Sequence, residues 1–157
     1  MDTKILTGML KERLIKGGII KSDINEGWFS ELVQLLHKRI KTLEDFSEQT
    51  KIFFQDKIEH EQPAVEEFLK NKSYLEEGFK KLIQALKGLS YFDVKNIEEL
   101  LRAIAKEIGV SAKDFILPVR VAVTGKSVSP PLFESIYLFG KEKTIKNLEF
   151  ALNNLLK

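Results

Sequence analysis

Apolar residues recur at helical spacing along nearly the whole chain, and this limits the possible folds more than any other feature of the sequence. Ile5, Leu6, Met9, Leu10 and Leu14 repeat with helical period and stop at Gly17-Gly18, which predicts a short opening helix. A second helix is expected from Glu26 to Lys41, with Trp28, Leu32, Leu35, Leu36 and Ile40 inward. Thr42 and Asp45 resemble a capping box with Asp in the Glu position, so a further helix starts at Leu43 and carries Phe46, Phe53 and Phe54. Pro63 opens a short helix, and Ser73 with Glu76 forms a capping box for a longer one whose stripe is Leu75, Phe79, Leu82, Ile83, Leu86 and Leu89. Asn96 caps the next, with Leu100, Leu101, Ile104 and Ile108 inward and Gly109 at its end. The last helix, from Lys141 to Leu156, repeats Ile145, Leu148, Leu152 and Leu155. Only Val119 to Val123 imitates a strand, so the expected fold class is all-α, a two-part helical bundle.

The polar run from Asp56 to Pro63 reads as the link between the two parts, which places one subdomain at 1–60 and another at 61–157. A chain of 157 residues has room for one ordinary core or two small helical ones. No run of about 18 apolar residues occurs, and no charged start precedes an apolar stretch, so neither a membrane span nor a signal peptide is indicated and the cytosol is the expected location. With no cysteine, disulfides, thiol catalysis and Cys-based zinc sites are all excluded.

Pro118 to Gly140 is the most particular stretch. Pro118 is expected to open a short helical turn that Gly125 closes, with Ser129 as N-cap and Pro130 as first residue of a second helix ending at Gly140. The unit reads as helix, exposed loop, helix. Arg120 and Lys126 offer donors to an anion beside the exposed edges of Pro130, Leu132 and Phe133. The net charge of +2 is too small to announce a nucleic-acid binder, but the excess is localised. Residues 118–157 carry 6 basic and 3 acidic groups, whereas the two preceding parts are balanced or slightly acidic. Arg39 and Arg120 are two of only four arginines; on their own they read as solvated helix residues more readily than as planar forks suited to base edges and phosphates.

Other chemistries find little support. Gly125-Lys126-Ser127 imitates the tail of a phosphate-binding loop, but the required glycine five positions earlier is Arg120. His37 and His60 lack partners at metal-ligand spacing, so no metal centre is expected, and His60 reads as a solvated linker residue. The acidic pairs Glu66-Glu67, Glu76-Glu77 and Glu98-Glu99 sit in first turns, where they compensate the helix dipole rather than act as acid-base couples. Phe53 and Phe54 read as core, while Phe133 stands open between core and base-stacking platform.

The order Pro118-Val119-Arg120-Val121-Ala122-Val123-Thr124-Gly125, then Pro130-Pro131-Leu132, then Gly140-Lys141-Glu142, resembles the C-terminal anticodon-binding region of bacterial-type glutamyl-tRNA synthetases, whose signature runs P-L-R-x-A-L-T-G, P-x-L, L-G-K-E. Arg39-Ile40-Lys41-Thr42-Leu43 is similar to the R-x-x-T-L stretch that precedes it in the same family. The resemblance implies a discriminating, class I enzyme's helical anticodon-binding domain, with the anticodon loop of tRNA(Glu) as partner, no DNA or membrane partner, and a monomer. It implies that Arg39 reads the third anticodon base, a cytosine, that Arg120 lies at the central bases, and that Ser129, Pro130 and Leu132 line the pocket for the first and second, with Phe133 beside them. Ser129 stands where a threonine can occur and keeps a hydroxyl; Pro131 replaces a small residue and stiffens the loop. Neither an H-I-G-H-like motif nor a K-M-S-K-S-like loop is present, so no catalytic centre and no cofactor is expected in this chain. The resemblance implies that ATP, glutamate and magnesium belong to a catalytic domain elsewhere. Two rivals stand beside this reading: a helical protein-interaction module without RNA binding, and a free-standing RNA-binding homologue acting in trans.

Overall fold

The structure, a computed structural model, describes residues 3–156 apart from 19, 22, 38–42 and 56, and gives the backbone alone at 3 and 43–48. The described residues form nine helices and no strand, as the all-α expectation requires. They fall into two units, Met1–Asp56 and Lys57–Lys157. Residues 57–60, expected with the first part, belong to the second, where the Glu61 N–H donates to the Gly125 carbonyl at 2.8 Å.

The first unit contains α1 (Thr3–Lys16), α2 (Glu26–His37) and α3 (Leu43–Phe54), each packed on the other two. Leu10 and Leu14 of α1 are buried together with Phe29, Leu32, Val33 and Leu36 of α2. Ile5 and Met9, which share the helical repeat, are 59% and 43% exposed. Residues 5 and 9 share one face of the helix, and 10 and 14 share the next one round, so only the second faces the other helices. The start of α3 at Leu43 is as predicted, although Thr42 and Ile40 lie outside the described residues. Phe53 is buried, and Phe54 meets Trp28 edge-on with ring centroids 5.4 Å apart.

The second unit runs α4 (Gln62–Phe68), α5 (Tyr74–Lys87), α6 (Val94–Glu107), α7 (Ala112–Thr124), α8 (Leu132–Phe139) and α9 (Lys141–Asn154). Pro63 stands in the first turn of α4, where its missing N–H costs nothing. The α5 stripe from Leu75 to Leu86 is buried, with Leu89 at its margin, and packs against α6 and α9. Two caps differ from expectation. Ser73 precedes α5 in a helical conformation without capping it through its side chain. Asp93, not Asn96, caps α6 by accepting from the Asn96 N–H at 2.8 Å, because three residues separate a cap from the amide it satisfies. A single residue, Gly140 at φ +87°, separates α8 from α9.

Pro118 does not open a helix; it lies in the middle of α7, which Ser111 starts by accepting from the Asp114 N–H at 3.1 Å. An internal proline lacks the amide that would bond the carbonyl four residues back, here that of Asp114. Tyr74 supplies the substitute, its hydroxyl donating to the Asp114 carbonyl at 3.1 Å. Tyr74→Phe is therefore expected to cost about 1 kcal/mol in the unmutated chain. In a Pro118→Ala background, where the backbone can bond Asp114 itself, denaturant titration should find a smaller loss; an equal loss in both backgrounds would dissociate the two residues.

Candidate nucleic-acid interface

The segment singled out by the sequence is the end of α7, the turn over 125–131 and the start of α8. Gly125 adopts φ +81° and its N–H caps the helix by donating to Val121 O at 2.8 Å. A side chain at this position would overlap the Glu59 carbonyl oxygen and crowd His60 Cα, so residues 59–61 cross the turn at a distance only glycine permits.

The last carbonyls of a helix have no partner within it and must find donors elsewhere. Here each donor is a different group. Thr124 Oγ1 lies 2.7 Å from Arg120 O and accepts from the Lys126 N–H at 3.2 Å. His60 Nε2 sits 3.2 Å from Ala122 O. Asn147, buried on α9, donates through Nδ2 to Val123 O at 3.0 Å. The His60 ring also stacks on Phe150 of α9, with centroids 5.7 Å apart and planes 15° from parallel. His60 is thus half-buried rather than a solvated linker residue. Burial lowers its pKa, and the hydrogen bond to Ala122 only partly opposes this. The neutral Nε2–H tautomer fits the site, since a carbonyl needs a donor.

The turn is less exposed than the sequence suggests. Ser129 and Pro130 are buried and Leu132 is 2% exposed. Phe133 is half-buried and packs against the core of the second unit. Ser129 does not cap α8; its hydroxyl donates to Pro130 O at 2.9 Å, and Pro131 occupies the cap position. The displacement follows from the Pro130-Pro131 pair, which holds the chain extended for two residues before Leu132 can begin the helix. Arg120 is half-buried on α7, and Lys126 and Ser127 are half-buried in the turn. The outward residue is Val128, 77% exposed, which sequence reasoning did not select. Arg39 lies outside the described residues.

Open clefts elsewhere among the described residues include one of about 580 Å³ lined by Ser73, Glu76, Lys80 and Asn153 and another of about 670 Å³ between α1 and α2. Neither is lined by residues of the 125–131 turn. Among the described residues no group of His, Asp or Glu is arranged to hold a metal ion, and no helix is long and apolar enough to cross a membrane. The surface at the turn can offer a cation, a hydroxyl and backbone groups to a ligand. It has no constellation for covalent or acid-base chemistry.

A family model described as an anticodon binding domain matches residues 6–152. The glutamate-tRNA ligase of Symbiobacterium thermophilum is 35% identical over 121 residues, covering 77% of this chain and 24% of its own length. That of Natranaerobius thermophilus is 31% identical over 158 residues, covering 98% and 32%. A glutamate tRNA ligase from Elizabethkingia meningosepticum shares the fold, with a TM-score of 0.85 at 20% identity over 99% of this chain and 30% of its own. The chain spans about a quarter to a third of the length of these relatives.

The environment of His60 sets a pH dependence. A histidine whose folded pKa lies below its unfolded value of about 6.5 contributes stability that is complete above that value and is lost as pH falls through the folded pKa. Stability should therefore be flat at neutral pH and decline below about pH 6.5. His60→Gln keeps a donor for Ala122 without titrating. Chemical denaturation across this range should show a shallower acid decline in that variant, and unchanged slopes would mean that other groups govern it.

Proposed function

We propose that this chain, which belongs to the family of anticodon binding domains, binds the anticodon loop of tRNA(Glu) as part of a glutamate-tRNA ligase. The observation that carries the reading is that glutamate-tRNA ligases align with this chain over nearly its whole extent while it fills only a small share of theirs. Formation of glutamyl-tRNA, with its ATP, glutamate and magnesium, is assigned to the remainder of such an enzyme. This chain contributes selection of the tRNA, has no cofactor of its own, and acts as a monomer in the cytosol.

Sequence-specific readers of RNA splay unpaired loop bases and bind their edges, while phosphate contacts set position. In this reading Arg39 takes the third anticodon base, a cytosine, through its planar fork, and so separates tRNA(Glu) from tRNA(Gln). Arg120 approaches the central bases from α7. Because Ser129, Pro130 and Leu132 are buried, their part is to shape the turn and present its backbone. Lys126, Ser127 and Val128 then form the face met by the RNA, and the half-buried Phe133 offers a base only part of its surface.

Binding of the chain to anticodon stem-loops of tRNA(Glu) and tRNA(Gln), at low and moderate salt, tests the proposal. A preference for the glutamate loop is expected, with affinity declining as salt rises. Arg39→Gln should lose about 1–3 kcal/mol of that preference, the worth of one bidentate base contact. Binding that ignores RNA identity in the unmutated chain would favour a protein-interaction module instead.

A further inference from the structure

We infer that His60 and Asn147 are positioning residues for RNA reading: from outside the segment, they fix where α7 stops and hence where the 125–131 turn stands. The inference rests on reading that turn as part of the anticodon-binding face. Its geometric basis is the fate of two carbonyls. If α7 continued past Gly125, the amides of Lys126 and Ser127 would bond the carbonyls of Ala122 and Val123, each four residues back. Both carbonyls are already taken, Ala122 O by His60 at 3.2 Å and Val123 O by Asn147 at 3.0 Å. The Lys126 amide turns instead to Thr124 Oγ1.

The two side chains thus compete with winding of the turn onto the helix. Gly125 alone does not secure this, since a glycine tolerates both left-handed and helical backbone. The donors are themselves held. Asn147 is buried on α9, and Phe150, three residues on, provides the ring on which His60 stacks. The Glu61 amide bonds Gly125 O at 2.8 Å, so the segment bearing His60 is pinned to the turn it positions. One face of α9 therefore sets both donors, although neither residue lies in the turn. Loss of either donor releases a carbonyl that the Lys126 or Ser127 amide can claim, which re-aims Lys126, Ser127 and Val128 while the core of the unit stays intact.

The test compares stem-loop binding by the 157-residue chain with that of His60→Ala, Asn147→Ala, His60→Gln and Tyr74→Phe, with cooperative melting recorded for each. The two alanine variants should remain folded yet lose about two- to thirtyfold of the preference for the glutamate over the glutamine loop, the range for residues that act without touching the ligand. His60→Gln should retain the preference, because it keeps a donor. Tyr74→Phe, which weakens the same unit away from the turn, should melt earlier with its preference unchanged. Should Asn147→Ala not fold, Asn147→Ser leaves a polar side chain too short to reach Val123 and takes its place. Unchanged preference in both donor-deleted variants, with the parent chain discriminating, overturns the inference. A parent chain with no preference overturns the anticodon reading itself, and the inference falls with it.

Discussion

The second unit depends on the crossing at Gly125. The backbone of 59–61 passes against this residue where a β-carbon would overlap Glu59 O, and it is tied there by the Glu61 amide. Three arrangements follow from that one approach. The helix α7 ends in a left-handed residue, the incoming segment brings His60 to the Ala122 carbonyl, and the chain leaves toward Val128 rather than winding on. The contact joins residues far apart in sequence. α7 packs on both α4 and α9, which makes the turn part of the core rather than a loose connection between helices.

This construction suits selective recognition. A net charge of +2 gives little non-specific attraction to RNA, so in the proposed reading selectivity comes from placed groups more than from a broad field. The excess of basic residues over 118–157 supplies local attraction, and the held turn presents a small surface made of Lys126, Ser127 and Val128. Binding to a preformed surface avoids part of the cost of ordering a loop on association. The Pro130-Pro131 pair serves the same end by limiting the conformations of the segment that enters α8.

Much of the fold was legible because helical period survives without knowledge of partners. The α5 stripe from Leu75 to Leu86 is buried as read, and Gly125 and Gly140 end helices where expected. Failures came where a tertiary partner decides the outcome. Ile5 and Met9 have the spacing of a core face, yet only the neighbouring helices determine which side of α1 is covered. Pro118 looks like a helix start until Tyr74, remote in sequence, is seen at the carbonyl it leaves free. The candidate site shows the same division: motif order singled out the segment around Arg120, but His60 and Asn147 carry no local signal of their task as caps. The exposed edges expected at Pro130 and Leu132 turned out to be packed, because a proline pair entering a helix is apolar and the core accepts it.

The most direct test of the account is amide chemical-shift mapping of the chain during titration with a tRNA(Glu) anticodon stem-loop. The account predicts that, within the second unit, the largest changes cluster at Gly125 to Ser129 and at the first turn of α8, while amides lining the cleft near Ser73, Glu76 and Lys80 stay unmoved. Changes concentrated at that cleft, with the turn silent, would contradict it.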